Sequence, residues 1–530
     1  MANHTFKSGI DRGQSSFLPP RLDDYVGRDN PVRAIEAYVS SLDLVGLGFR
    51  HADKEAGGRG QPSFDPADLL KLYIYGYMNR VRSSRRLERE AHCNVEVMWL
   101  LKRLTPGYHT IADFRKDNRK ALKAANLQFV TLVRALGLLG GEAVGIDGAF
   151  FHGDASKGSI VTDKRLEEQR KDVEREIEAY DAALDANDAE DAVAQPDLFA
   201  GEDVAGKLTA LLEKKAEIEA DQARLKESGE TQLSRTDCDA RLLSKRGQVV
   251  AGYNVQIAVD DKHKLIVASE VVNDGNDSGQ LHAVALAAKE VLGVETLTIA
   301  ADAGYYNGET LRACEADGIV AYVPEANKNN RLAKQGRFTL HDFTYDVAQD
   351  VYHCPAGAEL HPMKGYKRDV GGKLHTRYAA RKSVCSVCPL RSRCLTDKAR
   401  RREIHRWQHQ DVIDRHRVRM AQPEASDMMR RRAALAEHPF GTLKCRAGYR
   451  HFLVRGFDKV RGEWSLMALC YNFFRVLSII GVHRFLAILA KNGHFLANLL
   501  LTALLAIAGT LTTILGRTSV KLAKTMPSSA

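Results

Sequence analysis

Two short apolar runs that each end on an aspartate constrain the fold of this chain more than any other feature. Ala143–Ile146 is followed by Asp147, and Thr296–Ala301 is followed by Asp302. Apolar runs of this length are typical of buried strands. A carboxylate at the end of a buried strand needs a metal, a cation or a hydrogen-bond donor as its partner. Two such strands side by side would bring both carboxylates into one crevice and form half of a divalent-metal site.

The predicted elements around these runs indicate a mixed sheet with helices on its faces. Strands are predicted at Tyr253–Val259 and Leu265–Val272, and alternating helices and strands follow as far as Val323. The resulting order is strand, insertion, strand, strand, helix, strand, helix, strand, which matches the strand order of a ribonuclease-H-like core. We therefore predict an α/β protein with a ribonuclease-H-like mixed-sheet core over residues 136–330.

Inside this core, residues of about 163–230 follow a different pattern. Apolar residues keep coiled-coil spacing from Leu166 to Leu184 and again from Val204 to Leu225, and an acidic loop from Ala186 to Asp203 separates the two stretches. This pattern predicts an inserted antiparallel helical hairpin. The expected role of the hairpin is that of a scaffold or of a contact between protomers.

The region before the first run, residues 1–135, is predicted to be helical. Its apolar residues predict helices near Pro31–Leu44, from Pro66 onward, and from Thr110 towards Leu136. The basic turn Asn79–Arg86 lies between the second helix and the next, which Ser83 or Ser84 can cap. Short helices around a basic turn are typical of a helix-turn-helix-like reader of DNA. A plain helical domain with a solvated basic loop is the alternative.

The charge of the chain favours a polyanionic partner. The formal net charge is +10, with a sequence pI near 9.0. Arginines that can position DNA phosphates are concentrated in the basic turn, namely Arg80, Arg82, Arg85 and Arg86. The first residues contain no apolar signal region, and we therefore expect a cytoplasmic protein associated with the nucleoid.

The cysteines of such a chain are expected to be thiols or metal ligands rather than disulfides. Nine are present, and four of them lie in residues 331–400, namely Cys354, Cys385, Cys388 and Cys394. A C-x2-C knuckle with two further thiolates is sufficient for a tetrahedral structural zinc. A set of free thiols is the alternative. The remaining cysteines are scattered and are expected to fill the core.

A third acidic ligand is expected on an arginine-rich helix near the end of the core. Glu437 lies on this helix, and the adjacent Arg430–Arg432 and Lys444 can hold phosphates. Three carboxylates together with phosphate oxygens suffice for two Mg²⁺ ions. Spacing alone does not distinguish Glu437 from Glu424 or Glu403 as this ligand.

Taken together, these residues resemble bacterial insertion-sequence transposases of the DDE type, specifically the IS1182-like group. The resemblance covers most of the chain, from about Gly9 to Arg475. It is carried by the motifs Leu18–Leu22, Asp24–Val26, Asn79–Glu90, Thr110–Arg115, Ile146–Gly148, Asp302–Tyr305 and Glu437–Lys444. The catalytic acids that it implies, all ligands of Mg²⁺ or Mn²⁺, are Asp147, Asp302 and Glu437.

The resemblance also implies a phosphate clamp around the third acid. In related elements the glutamate belongs to a signature that contains a tyrosine and an arginine before it and a lysine after it. Lys444 stands at the expected distance from Glu437, but Arg430 stands where the tyrosine is expected and Ala433 where the arginine is expected. Arg432, one residue away, is therefore the candidate substitute for that arginine.

The implied function is that of a transposase that binds terminal inverted repeats and target double-stranded DNA as a homodimer or larger assembly. The implied reaction is a metal-dependent in-line attack at DNA phosphorus, which cleaves and transfers strands without a covalent protein intermediate. One alternative is a catalytically inactive, zinc-containing DNA-binding regulator. Another is a ribonuclease-H-type nuclease of RNA hybrids, although such a nuclease needs no dedicated N-terminal reader.

The expected domains are a DNA-binding domain over 1–135, the core over 136–330, a Cys-rich insertion over 331–400, a segment with the third acid over 401–480, and an apolar tail over 481–530. In this tail Phe495–Leu515 carries no charge and is long enough to cross a bilayer. Positive charge flanks it on both sides and gives no orientation. We expect a helix packed on the protein and no membrane partner.

Overall fold

The computed structural model describes residues 21–53, 63–190, 204–245, 247–325, 333–370 and 372–492. Its α-helices are α1 (Pro31–Ser40), α2 (Pro66–Met78), α3 (Ser84–Cys93), α4 (Val95–Leu100), α5 (Tyr108–Asp117), α6 (Arg119–Ala135), α7 (Asp163–Glu190), α8 (Val204–Ser228), α9 (Leu281–Leu292), α10 (Gly308–Ala316), α11 (Lys382–Ser386), α12 (Arg391–Cys394), α13 (Gln410–Met420), α14 (Pro423–Phe440), α15 (Phe457–Ile480) and α16 (Val482–Asn492). A π-helical segment, Gly441–Arg446, follows α14 directly.

The strands, in chain order, are β1 (Ala143–His152), β2 (Ile160–Val161), β3 (Leu233–Ser234), β4 (Arg241–Lys245), β5 (Gln248–Asp260), β6 (Ile266–Val272), β7 (Leu297–Ala300), β8 (Ile319–Tyr322), β9 (Thr344–Asp346), β10 (Val351–His353), β11 (Glu359–Val370), β12 (Lys373–Ala379) and β13 (Glu403–Trp407). A mixed sheet together with helices confirms the predicted α/β class. The chain divides into a helical unit, Met1–Leu136 with Thr442–Ala530, and a central unit, Gly137–Gly441.

Two helices that are buried on all sides form the centre of the helical unit. α2 begins at Pro66, and the side chain of Asp65 caps it by accepting the Ala67 N–H at 2.8 Å. Its residues Leu69–Tyr77 are all buried, as are residues Gly462–Phe473 of α15. Helices that are apolar on all sides occupy the interior of a helical domain. The other helices of the unit are therefore arranged around α2 and α15.

The basic turn after α2 closes tightly on the end of that helix. The Val81 N–H donates to the Gly76 carbonyl at 2.7 Å, and Arg80 adopts a left-handed conformation with φ 64°. Glycine is required at position 76 because a Cβ there would lie 2.4 Å from the Val81 carbonyl oxygen. Ser83 occupies the N-cap position of α3, although its side chain makes no capping hydrogen bond.

The helix predicted from Thr110 towards Leu136 is instead two helices, α5 and α6. They are separated at Asn118, whose Oδ1 accepts the Arg50 N–H at 2.7 Å and whose Nδ2 donates to the Phe114 carbonyl at 2.9 Å. Asparagine side chains compete with helical backbone hydrogen bonds in this way. The break thus depends on a partner that is distant in the sequence.

The central unit is built on a six-stranded mixed sheet. The strand order is β4-β5-β1-β7-β8, and β6 also pairs with β5. β1 runs antiparallel to β5 and parallel to β7, and β7 runs parallel to β8. The helices α9 and α10 form the connections before and after β7. β5 is buried from Ala251 to Asp260 and therefore lies in the middle of this core.

The helices α7 and α8 pack against each other as an antiparallel pair. Gln222 donates to Glu167 at 3.4 Å, and the ammonium of Lys215 lies 3.0 Å from the Glu174 carboxylate. Because the residue number rises along α7 as it falls along α8, the two helices run in opposite directions. Apolar residues along the seam form a small core that includes Leu166, Val173, Ile218 and Leu225.

The region that carries the predicted Cys-rich insertion contains a second sheet that we did not predict from the sequence. Its strands follow the order β13-β12-β11-β10-β9, and every neighbouring pair is antiparallel. The sheet packs on a core whose buried members are Phe338, Phe343, Tyr352, Leu360, Tyr378, Ala380 and Ile404. The short helices α11 and α12, which contain Cys385 and Cys394, lie against this core.

Among the described residues, no single helix is long and apolar enough to cross a membrane. Only α15 and α16 taken together meet that test, and a bend of 103° separates them. The apolar segment Phe495–Leu515, the Leu18–Pro20 part of the first motif and residues 191–203 of the predicted hairpin loop lie outside the described residues. The prediction that this apolar segment packs on the protein therefore stays a prediction.

Candidate active site

The two strand-end aspartates lie at the same level of neighbouring parallel strands. In the pairing of β1 with β7, Gly145 stands opposite Ala300. Asp147 and Asp302 each follow two residues after that pair. The strand register thus brings both aspartates to one edge of the six-stranded sheet.

The carboxyl group of Asp147 is half-buried and lies among charges of both signs. Burial raises its pKa, and the charge of Asp302 acts in the same direction. The Gly148 N–H, which donates to Oδ1 at 2.9 Å, and the charges of Arg432 and Lys245 act to lower this pKa. A carboxylate whose ionisation is opposed by burial and by a second carboxylate is stabilised when a cation binds beside both. The pair therefore has the electrostatics of a cation site.

Glycine follows Asp147 because no larger residue fits at position 148. A Cβ there would lie 2.4 Å from Nε2 of Gln256 and 2.9 Å from Oδ1 of Asp277. It would also lie 3.0 Å from the hydroxyl oxygen of Tyr305. These polar groups pack directly against the β1 backbone, on the face of the sheet opposite to the Asp147 side chain, because side chains alternate along a strand.

Those groups belong to a buried hydrogen-bond network around Asp277, which the sequence analysis missed. Oδ1 of Asp277 accepts from Asn254 and from Gln256, both at 2.8 Å, and Oδ2 accepts from Lys245 at 3.1 Å. The Tyr305 hydroxyl donates to Oε1 of Gln256. A signal was present in the sequence, because Asn254 and Gln256 are polar residues on an otherwise apolar strand, and buried polar groups require partners.

The Asp277 network reaches the turn that carries Asp302. The side chain of Asp302 accepts the Gly304 N–H at 2.9 Å and thereby caps a short 3₁₀ turn. A Cβ on Gly304 would lie 2.9 Å from Oδ1 of Asp302 and 3.7 Å from Oδ2 of Asp277. Burial raises the pKa of the Tyr305 phenol, and the charges of Asp277, Asp147 and Asp302 raise it further. The negative charges of three carboxylates therefore act on the Tyr305 phenol.

Helix α14 covers the other face of β1. A Cβ on Gly145 would lie 3.0 Å from the Leu435 Cβ, and the rings of Phe151 and Phe440 pack with their centroids 6.2 Å apart. Because Gly145, Asp147 and Phe151 point to the same face, Asp147 lies between these two contacts on the strand.

Glu437 lies between the same two contacts on the helix, and its side chain is exposed to solvent. The other two acidic candidates are placed differently. Glu424 stands 13 residues before Glu437 on α14, about 20 Å away along the helix axis. Glu403 lies on β13, where its carboxylate is paired with Arg377 at 3.4 Å and with Arg401 at 3.0 Å. The packing of α14 on β1 therefore favours Glu437 as the third acid.

Among the described residues, no group of three or more His, Cys, Asp or Glu side chains has the arrangement of a metal site. The structure brings Asp147 and Asp302 together and leaves Glu437 on the adjacent helix. This pair still fits magnesium, because Mg²⁺ is commonly held by one or two carboxylates, several waters and substrate phosphates. Substrate would thus contribute part of the coordination.

The arginines of the basic turn have two different environments. Arg80, Arg85 and Arg86 are exposed, and the Arg85 guanidinium lies over the Tyr108 ring at 5.1 Å. Arg82 is only 9% exposed, and its guanidinium donates to the His451 carbonyl at 2.8 Å. The turn therefore presents three arginines to solvent and directs the fourth into the helical unit.

Two regions of the chain match family models. Residues 353–477 match the model described as transposase DDE domain, and residues 20–117 match the model described as transposase domain (DUF772). The first range includes Glu437 and Lys444, and the second includes the basic turn, whereas Asp147 and Asp302 lie outside both. No curated protein and no solved structure matches the chain significantly.

Proposed function

The chain carries the domains of a DDE-type insertion-sequence transposase, as its motifs predicted, and on that premise we propose that it binds the terminal inverted repeats of its element and there cleaves and transfers DNA strands. One observation carries the proposal. Asp147 and Asp302 extend from the same edge of two adjacent parallel strands, and two carboxylates at such an edge can hold a divalent ion.

The strand order supports a ribonuclease-H-like core. β6, β5 and β1 form an antiparallel set, and β1, β7 and β8 form a parallel set beside it. Two α-helical connections then follow β6 and β7. The order of these strands and helices along the chain is the one predicted from the sequence, and Asp147 lies on β1, between the two sets.

In the proposed site Asp147, Asp302 and Glu437 bind Mg²⁺ or Mn²⁺. The ion, when bound, would supply charge stabilisation at the scissile phosphate and lower the pKa of the attacking hydroxyl or water. The chain itself holds Asp147 by the Gly148 N–H and holds Asp302 by the Gly304 N–H. The bond to Asp147 favours its ionised carboxylate, which is the form that binds metal.

The phosphate groups of DNA are assigned to Arg432 and Lys444, the two basic side chains that flank Glu437 in the sequence. Arg432 is proposed to replace the arginine of the family signature, because its charge already acts on Asp147 and on Tyr305. Lys444, in the π-helical segment, is proposed as a phosphate ligand because it stands at the signature's distance in sequence from Glu437. A guanidinium near the acids can bind phosphate oxygens in a bidentate manner.

End recognition is assigned to the basic turn, with one revision. Arg80, Arg85 and Arg86 are proposed to contact the phosphates of the transposon end, because they are exposed beside the start of α3. Arg82 is removed from this set and given a structural role, since its guanidinium is buried and has intramolecular partners.

Cleavage of the DNA that flanks the gene tests the proposal. Purified protein with Mg²⁺ or Mn²⁺ should cut this DNA at the ends of the element, and Asp147→Asn should abolish cleavage while a gel shift shows unchanged binding. Specific binding by the wild type without any cleavage would instead identify the inactive regulator. Cleavage of RNA in a hybrid, with DNA left intact, would identify a ribonuclease-H-type nuclease.

A further inference from the structure

Four cysteines outside the proposed catalytic set line one cavity. A cavity of about 190 Å³ is lined by all of them, namely Cys354, Cys385, Cys388 and Cys394. Three of the four also pack against the aromatic core of the five-stranded sheet. We propose that this cavity is a structural zinc site with the four sulfurs as its ligands. The proposal is independent of the transposase activity.

The turn at Cys354 fixes the position of its sulfur atom. The Ala358 N–H points at Sγ of Cys354 at a distance of 3.3 Å, and the Cys354 N–H donates to the Ala358 carbonyl at 2.9 Å. Gly357 adopts φ 77°, a conformation that permits this tight turn. The Ala358 N–H therefore fixes the position of the Cys354 sulfur, as partners outside the ligand shell commonly do in metal sites.

Two arginines provide the charge balance that such a site needs. A Zn²⁺ ion with four thiolates carries a formal charge of about −2. Arg391 and Arg402 both line the cavity. Arg391 donates to the Cys385 carbonyl and Arg402 to the Cys394 carbonyl, each at 3.2 Å. They place positive charge beside the sulfurs and fix the backbone that carries two of them, as partners outside the ligand shell commonly do.

The sulfurs share the cavity without forming a closed tetrahedral group, since among the described residues no such metal arrangement is present. Zinc would draw them to about 2.3 Å from the ion. The small aromatic core of this region gives a physical reason for such a site, because small cores often depend on a structural metal. The four thiols would then stabilise the fold of this region and would take no part in the reaction with DNA.

The test is the metal content of the purified full-length protein, produced in cells supplied with zinc. We expect one zinc per chain, lost in Cys388→Ser and retained in Cys445→Ser, whose cysteine is exposed and lies in the helical unit. Replacement of zinc by Co²⁺ should give the visible absorption bands of a tetrahedral thiolate complex.

Thermal unfolding provides a second measurement, because a zinc chelator should lower the unfolding temperature of the wild type and leave that of Cys388→Ser unchanged. Wild-type protein without zinc, with four titratable thiols in this cavity or with a disulfide between two of them, would overturn the proposal.

Discussion

The carboxylate of Glu463 lies 3.6 Å from the guanidinium of Arg82, and the two side chains are 0% and 9% exposed. Arg115 lies at the same distance from this carboxylate, with an exposure of 8%. Glu463 also accepts the Tyr77 hydroxyl at 2.9 Å and the Leu453 N–H at 2.8 Å. Arg82, the second arginine of the basic turn, therefore connects this turn to a buried ionic network and holds it in place.

Glu463→Gln should strongly destabilise the helical unit. It leaves two buried guanidinium groups without a counter-charge, and the loss of one partner of a buried ion pair costs about 3–5 kcal/mol. Urea unfolding followed by circular dichroism measures this change in the free energy of unfolding. Asp117→Asn is the matched control, because its pair with Arg50 is on the surface and is worth about 0–1 kcal/mol. Equal effects of the two variants would contradict the proposed network.

Arg85→Ala with Arg86→Ala should weaken binding to terminal-repeat DNA and flatten its salt dependence. Each phosphate contact contributes about 0.9 to the magnitude of the slope of log K against log salt concentration. The magnitude of this slope should therefore fall by about 2 in the double variant. Fluorescence anisotropy at several salt concentrations gives the slope. Arg28→Ala with Lys120→Ala removes the same charge from other exposed positions of the helical unit. If the control variant lost the same amount of slope, DNA binding would depend on the net charge of the protein and not on the arginines of the basic turn.

Gly148→Ala should destabilise the central unit and impair cleavage. The added methyl group would meet Gln256 and Asp277 at 2.4 Å and 2.9 Å, and overpacking of this kind costs about 1–3 kcal/mol. Urea unfolding and the cleavage assay report the two effects. Gly279→Ala is the control in the same unit, because a Cβ there meets no atom within 4 Å. Wild-type stability and cleavage in Gly148→Ala would exclude close packing of the Asp277 network against β1.

His416 should make the central unit less stable as the pH falls. Burial lowers its pKa to about 4 from an ordinary value of 6.5; Arg419 and Arg417 act in the same direction, whereas Glu325 and Glu315 oppose them. The unfolded chain therefore takes up this proton at a higher pH than the folded chain, so stability is lost between pH 6.5 and about 4. Below the folded pKa the loss is complete.

His416→Phe should reduce this pH dependence, which urea titrations across that range measure. His361→Phe is the control, because His361 is 52% exposed. If both variants keep the wild-type pH profile, another group causes the pH dependence.

The two strand-end aspartates could be predicted because the signal was local. A few apolar residues followed by a carboxylate identify a strand end. The parallel pairing of β1 with β7 then brings both strand ends to the same edge of the sheet. Asp277 gave no such local signal. Its importance comes from its hydrogen bonds with Asn254 and Gln256 on β5, more than twenty residues earlier in the chain. Residues that depend on distant partners were the ones missed.

Arg82, in the basic turn, is another residue whose role could not be predicted because its partner is distant in the sequence. Its sequence context is that of Arg80, Arg85 and Arg86, and composition gave no reason to separate them. Its partner Glu463 is supplied by α15, more than three hundred residues later in the chain. The five-stranded sheet was missed for a different reason, because its strands are short or polar and lack a clean alternation of apolar residues.

The central claim is that Asp147 and Asp302 bind the catalytic ion directly, and a metal-rescue assay tests it most directly. Asp302→Cys replaces an oxygen ligand by sulfur, which Mn²⁺ tolerates better than Mg²⁺. On DNA that carries the terminal repeats, we expect the wild type to cleave with either ion, and Asp302→Cys and Asp147→Cys to cleave only with Mn²⁺. Asp154→Cys, at an exposed position after β1, should cleave with both. Two results would contradict the account. One is cleavage with Mg²⁺ by Asp147→Cys or Asp302→Cys at the rate of the wild-type protein, and the other is cleavage by the wild-type protein in the presence of a chelator.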